Sequence, residues 1–217
     1  TPLSHIMGYA DLLAMGEVGG ELKREQVQTV HFIQQKAEEL AQWVEKLIAL
    51  RTLQDQGLQW EDVSLKELAL ALATTWQERA EQMGLTLQVD LPAELPTVRG
   101  DFQRLHEAIS QVLDNAIKFT GAGGLVSLSV TQGEKECRLT IADNGPGIMP
   151  DRLDKVFERF YQVDGSSTRQ HGGMGIGLAL TQEIINLHGG RVWAESTGVP
   201  GEGTTFYLSL PCNRSEH

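Results

Sequence analysis

Cys137-Arg138-Leu139-Thr140-Ile141-Ala142-Asp143-Asn144-Gly145-Pro146-Gly147-Ile148 is the stretch on which the fold turns. Its first six residues read as a largely apolar β-strand over 137–142. The chain then breaks into a Gly-rich corner. An ionised Asp accepts hydrogen bonds only, so Asp143, at a strand end, suits an exocyclic amino group such as that of adenine. Gly145 and Gly147 let the backbone approach a ligand closely. The same residues also make a plain turn after a strand, and the segment alone does not decide between the two.

Working outward, Leu125 to Val130 predicts a partner strand across a turn at Gln132-Gly133. Upstream, Asp101 starts a helix that carries Leu105, Ile109, Val112, Leu113 and Ala116. Its second half reads Gln111-Val112-Leu113-Asp114-Asn115-Ala116-Ile117-Lys118-Phe119-Thr120. Gln111 lies one turn before Asn115, and Lys118 occupies a neighbouring position one turn on. An Asn carbonyl is a hard oxygen donor suited to Mg²⁺, and Lys meets phosphate as a point charge. Taken singly, such residues also make ordinary solvated helix surface.

Downstream, a long Gly-rich, polar stretch from Asp143 to Gly175 leads to Gly172-Gly173-Met174-Gly175-Ile176-Gly177-Leu178, which opens a helix over 176–187. Backbone N–H groups at a helix start favour phosphate. No Gly-Lys-Ser/Thr follows, and no strand directly precedes, so neither the P-loop nor the dinucleotide fingerprint fits. A strand over 191–195 follows. Gly201-Glu202-Gly203-Thr204-Thr205-Phe206 then turns into a last strand over 204–210.

The N-terminal quarter is helical. Leu3, Ile6, Met7, Ala10 and Leu13 share one face, and the Gly16 to Gly20 stretch breaks that helix. From about residue 21 to 53, Val30, Ile33, Ala37, Leu40, Val44 and Leu47 step by three and four, a heptad seam. Two helices do not bury both faces, so the pattern predicts a dimeric four-helix bundle. Ser64 with Glu67 forms a capping box for a helix running to Met83. Leu85, Leu87 and Val89 predict a strand, and Pro92 and Pro96 bracket a loop. The expected fold class is α+β: a helical hairpin over residues 1–57, then an α/β sandwich over 58–217.

Composition narrows the function. Lys+Arg is 18 against Asp+Glu 29 in 217 residues, a net charge of −11, which disfavours nucleic-acid binding by phosphate contacts. No apolar run approaches the ~18 residues of a membrane span. Cys137 and Cys212 suit a reducing compartment, with one bridge between them left open. The chain begins with Thr rather than Met and is expected to be a fragment.

In this order and spacing, the four segments around Asn115, Asp143, Gly175 and Thr204 resemble the N, G1, G2 and G3 boxes of the Bergerat-type ATP-binding fold. Val156-Phe157-Glu158-Arg159-Phe160-Tyr161 is similar to the F box of sensor histidine kinases. Residues 1–15, from Thr-Pro-Leu-Ser-His, resemble the segment just after the phospho-accepting His of the kinase dimerisation domain.

The resemblance implies ATP and Mg²⁺ as ligands. Asn115 would hold the metal, Lys118 would contact phosphate and Asp143 would bind adenine. Gly145 and Gly147 would shape the pocket, Gly173, Gly175, Gly177 and Leu178 would lie beside the phosphates, and Thr204 would support the adenine side. Residues 149–172 would form a lid, from which Arg159 would reach the γ-phosphate.

Gln111 stands where many members have Asn and related ATPases have a Glu that activates water; Gln is no such base. The family acceptor His belongs four positions before Thr1, and His5 follows the Pro-Leu pair, where the family has none. The implied partners are a second copy, through the hairpin, and the receiver domain of a response regulator. The setting is cytoplasmic, with a parent protein open to membrane anchoring. Alternatives are an ATP-binding pseudokinase or dimerisation module and an ATPase of the same fold.

Overall fold

The computed structural model describes residues 2–16, 18, 20, 22–163 and 174–212. The chain divides into two units, Thr1–Arg51 and Thr52–His217. That division falls inside a helix, ahead of the boundary expected at residue 57.

The first unit holds α1 (Pro2–Ala14) and most of α2 (Arg24–Gln56). Gly16, at φ 73°, takes the left-handed conformation that ends α1. The Gln34 amide donates to Asp11 Oδ1 at 2.7 Å and ties the two helices together. Within the heptad seam, Val30 and Ala37 are buried, whereas Ile33, Leu40, Val44 and Leu47 are 42–46% exposed. One chain therefore covers only part of its own seam.

In the second unit, β1 (Glu61–Ser64) leads into α3 (Leu65–Gln82), then β2 (Thr86–Asp90), β3 (Thr97–Gly100) and α4 (Phe102–Phe119). β4 (Leu125–Gln132) and β5 (Glu136–Asp143) follow. After the loop come α5 (Gly177–Leu187), β6 (Arg191–Glu195) and β7 (Thr205–Pro211). The main sheet has the order β2-β4-β5-β7-β6. β2 runs parallel to β4, and the remaining pairs are antiparallel.

Period-two alternation puts Val126, Leu128, Val130, Leu139, Ile141, Leu208 and Leu210 on one fully buried face. The apolar faces of α3, α4 and α5 cover it with Leu68, Leu72, Leu105, Ile109, Leu113, Leu180 and Ile184. Each such Leu or Ile contributes roughly 1.5–3 kcal/mol by burial.

The helix starts follow their sequence signals. Ser64 Oγ accepts from Glu67 N at 3.2 Å, and Asp101 Oδ1 accepts from Arg104 N at 3.1 Å.

Three features differ from expectation. β1 and β3 pair antiparallel where no strand was expected; each is four residues long, too short to show a period. The loop after β5 contains two 3₁₀ turns, Pro150–Arg152 and Lys155–Phe157, the second burying Val156 and Phe157. The two cysteines take the alternative left open for them and form a Cys137–Cys212 disulfide. No helix among the described residues is long and apolar enough to cross a membrane.

Candidate functional site

β5 delivers Asp143 at its end, next to the start of β7. The Asp143 backbone N–H donates to the Thr204 carbonyl at 3.0 Å. Its side-chain Oδ1 accepts from Gly145 N at 2.8 Å and Thr204 N at 3.3 Å. Oδ2 has no protein partner among the described residues. Burial raises the Asp143 pKa above its ordinary value, and the two backbone hydrogen bonds oppose that rise. The result is an oriented carboxylate with one oxygen left for a donor.

The loops on either side of Asp143 are laced together by backbone and by Ser196. Ser196 Oγ accepts from Ile148 N at 2.9 Å and donates to the Gly203 carbonyl at 2.6 Å. Gly201 N donates to the Gly145 carbonyl at 2.8 Å. A Cβ on Gly203 would collide with the Asp143 carbonyl, so the two loops touch main chain to main chain. Gly147 (φ 75°) packs by Gly198 Cα, 3.3 Å from where its Cβ would be.

α4 forms the adjoining wall. Gln111, Asn115 and Phe119 are spaced by four and so share one face. At one end of that face, a Cβ on Gly145 would lie 3.1 Å from the Phe119 carbonyl. At the other end, a Cβ on Gly177 would lie 2.7 Å from Gln111 Oε1. The Asp143 loop and the start of α5 thus flank the two ends of a stripe whose middle residue is Asn115. Gln111, Asn115 and Lys118 are all half-buried, and Lys118 Nζ lies 5.9 Å from the Phe119 ring centre.

α5 begins after Gly175, whose φ of 68° brings it against Phe160 and Tyr161. Phe160 N donates to the Gly175 carbonyl at 2.8 Å. No side chain caps α5, and Leu178 is half-buried in its first turn. An uncapped helix start presents N–H groups and a partial positive charge to an anion.

Arg159 is turned to the side of α5, where its guanidinium donates to Glu183 at 3.4 Å. Gly173 and the lid residues 164–172 lie outside the described residues.

These residues fit a magnesium nucleotide. The open Asp143 oxygen suits an amino donor, and the uncapped α5 start suits phosphate. Among the described residues no group of three or more His, Cys, Asp or Glu is placed to hold a metal. A lone amide oxygen on Asn115 matches a cation held chiefly by phosphates and water.

Sequence reasoning missed Ser196 and the role of Asn144, whose Oδ1 accepts from Leu125 N at 2.8 Å. Asn144 acts on Leu125, 19 residues back, and Ser196 on Ile148, 48 residues back, and a side chain that meets only backbone leaves no partner residue to read.

Residues 100–214 match the family described as histidine kinase-, DNA gyrase B- and HSP90-like ATPase. The signal transduction histidine-protein kinase BaeS of Escherichia coli K12 is 34% identical over 217 residues, covering 99% of this chain and 44% of that protein. Full-length ShkA, solved in complex with AMPPNP, overlays with a TM-score of 0.78 at 29% identity, over 98% of this chain and 43% of that one. The histidine kinase ThkA, solved in complex with the response regulator protein TrrA, shares the fold with a TM-score of 0.73 at 19% identity, over 100% of this chain and 61% of that one. The chain spans less than half the length of BaeS. By these matches, the chain belongs to the histidine kinase-, DNA gyrase B- and HSP90-like ATPase family and carries the ATP-binding catalytic domain of a sensor histidine kinase.

Proposed function

We propose that the chain is the catalytic core of a two-component sensor histidine kinase that uses Mg·ATP to phosphorylate a histidine. Residues 1–57 serve dimerisation and histidine phosphotransfer, and 58–217 bind ATP. The observation that carries this reading is the Asp143 carboxylate. It is half satisfied by backbone and half open, at one end of a stripe leading past Asn115 to the uncapped start of α5.

In this reading Asp143 Oδ2 accepts the adenine amino group, and Gly145, Gly147 and Thr204 keep its loops in place. The N–H groups around Gly173, Gly175, Gly177 and Leu178 meet the phosphates. Lys118 adds positive charge, and Asn115 offers an amide oxygen to Mg²⁺. The bound Mg·ATP supplies the γ-phosphoryl group and the cation that neutralises its charge. Gln111 accepts no proton as a base, so water is not activated and a protein nucleophile is favoured. Arg159 reaches phosphate only after leaving Glu183.

The acceptor is a His four positions before Thr1, and the phosphoryl group passes to an Asp of a response-regulator receiver domain. The complex of ThkA with a response regulator supports that partner class. The exposed Ile33, Leu40, Val44 and Leu47 support a homodimer through the hairpin. A cytoplasmic setting, which supplies ATP and response regulators, accords with this role, although its reducing thiols oppose the Cys137–Cys212 disulfide.

The test uses a chain extended upstream of Thr1 and incubated with γ-labelled ATP and Mg²⁺. An acid-labile, alkali-stable label on the protein, lost in Asn115→Ala, is the expected result. Nucleotide binding without label would instead indicate a pseudokinase, and fast Asn115-dependent phosphate release an ATPase.

A further inference from the structure

The segment that follows α2 is fastened to the ATP-binding domain at a point remote from Asp143. Gly57, at φ 69°, turns the chain out of the helix. Gln59 N then donates to Asp101 Oδ2 at 3.0 Å. The Trp60 ring lies against the His188 ring, centroids 5.5 Å apart. Glu61 to Ser64 pair with Gly100 to Thr97. The Arg99–Asp62 ion pair along this ladder is exposed on both sides and adds little.

His188 is the centre of the fastening. It is 3% exposed. Its Nδ1 lies 2.7 Å from the Ile184 carbonyl, and its Nε2 accepts from Asp101 N at 2.9 Å. A carbonyl only accepts and a backbone N–H only donates, so the proton sits on Nδ1 and the ring is neutral. The fit is close: a Cβ on Gly100 would lie 2.9 Å from His188 Cδ2.

Protonation would place a second N–H at Nε2, pointing at the Asp101 N–H. That bond would be lost and replaced by two opposed donors. Asp101 is the charged group that faces the ring; β3, the Trp60 segment and α5 contribute Gly100, Trp60 and Ile184, which do not titrate. Burial lowers the His188 pKa, opposed by the Ile184 hydrogen bond and the Asp101 charge.

We infer that Asp101, His188 and Trp60 form a proton-sensitive latch that holds residues 58–64, the leading edge of the ATP-binding domain, on the rest of that domain, and that protonating His188 opens it. The sign follows from the neutral ring. The latched state binds fewer protons than the open one, so opening is favoured as pH falls below the ordinary imidazole range, about 6.5. The open fraction rises by up to tenfold per pH unit until the latched ring itself titrates. None of these contacts touches the nucleotide site, so the latch stands whether or not the domain phosphorylates a histidine. His188 ends α5 and Gly177 begins it, about 16 Å away at 1.5 Å per residue. The latch therefore joins the segment after α2 to the helix whose other end faces Gln111.

The experiment follows amide hydrogen exchange of the whole chain between pH 8 and pH 5, corrected for intrinsic rates, alongside ¹⁵N NMR of the histidines. The expected result is a His188 tautomer protonated at Nδ1 at pH 8. Protection of residues 59–63 should then fall below about pH 6.5 while β4 and β5 stay protected. His188→Gln keeps an acceptor for Asp101 N but does not titrate, and should make the protection of 59–63 independent of pH. An Nε2-protonated tautomer, protection of 59–63 unchanged to pH 5, or loss only in step with β4 and β5 would each overturn the latch. So would a folded His188→Gln variant that keeps the pH response. Should that variant not fold, the wild-type tautomer and exchange profile decide the matter alone.

Discussion

Replacing Asp143 with Asn should separate the adenine recognition proposed for this residue from folding. The Asn is isosteric, and its carbonyl oxygen can keep both backbone donors, Gly145 N and Thr204 N. Its amide nitrogen must then occupy the place of Oδ2. A donor would face the adenine amino group where an acceptor stood. A hydrogen bond to a charged group is worth about 1.5–3 kcal/mol, so affinity for ATP should fall roughly 10- to 150-fold. The melting temperature should hold or rise, because a carboxylate disfavoured by burial has been removed. Titration calorimetry with ATP, paired with thermal melting, reads both quantities. Unchanged affinity in a folded Asp143→Asn protein would refute the assignment of Asp143 to adenine.

Acidification should act on the same group. Because the Asp143 pKa is raised, its ionisation opposes folding, and its own contribution to stability improves as pH falls. Nucleotide affinity moves the other way, weakening as pH falls towards that raised value, with proton release on binding detectable by calorimetry in buffers of different ionisation enthalpy. Asn115→Ala should leave the fold intact and cut the Mg²⁺-dependent gain in ATP affinity by about tenfold or more, read by titration with and without EDTA. In Gly175→Ala, a left-handed backbone at φ 68° would carry a side chain crowding Phe160 and Tyr161. The backbone term alone, about 1–2 kcal/mol, should lower the melting temperature by roughly 2–8 °C. Reducing Cys137–Cys212, whose residues are 75 apart, should remove about 4.5 kcal/mol by loop-closure entropy, measured by denaturant titration with and without dithiothreitol.

What the sequence disclosed were features set by local chemistry. Ser64 and Asp101 cap helices through side chains acting three residues ahead, and β6 begins and ends at Arg191 and Glu195, where the sequence predicts a strand. Asp143 by itself read equally well as part of a turn, and it stood out only through the order and spacing of the four segments around Asn115, Asp143, Gly175 and Thr204. Its fastening was not legible: Thr204 lies 61 residues on, and both contacts use backbone that carries no residue signature. β1 and β3 were hidden because each buries a single valine, Val63 or Val98, too few for a period. His188 was silent for a similar reason, since its partners are a carbonyl and an N–H. The heptad seam was correctly spaced, but spacing does not say which residues one chain covers by itself.

The main-chain contact between Gly203 and Asp143 bears on how such domains age. Any side chain at 203 would strike the strand that carries Asp143, so that glycine is held by architecture alone. A descendant that had stopped using nucleotide would still retain it to stay folded, while its carboxylate at 143 would be at liberty to drift. In surveys of degenerate relatives, an intact glycine there would mark a sound scaffold, and the acid beside it, in the role proposed for Asp143, would mark a working one.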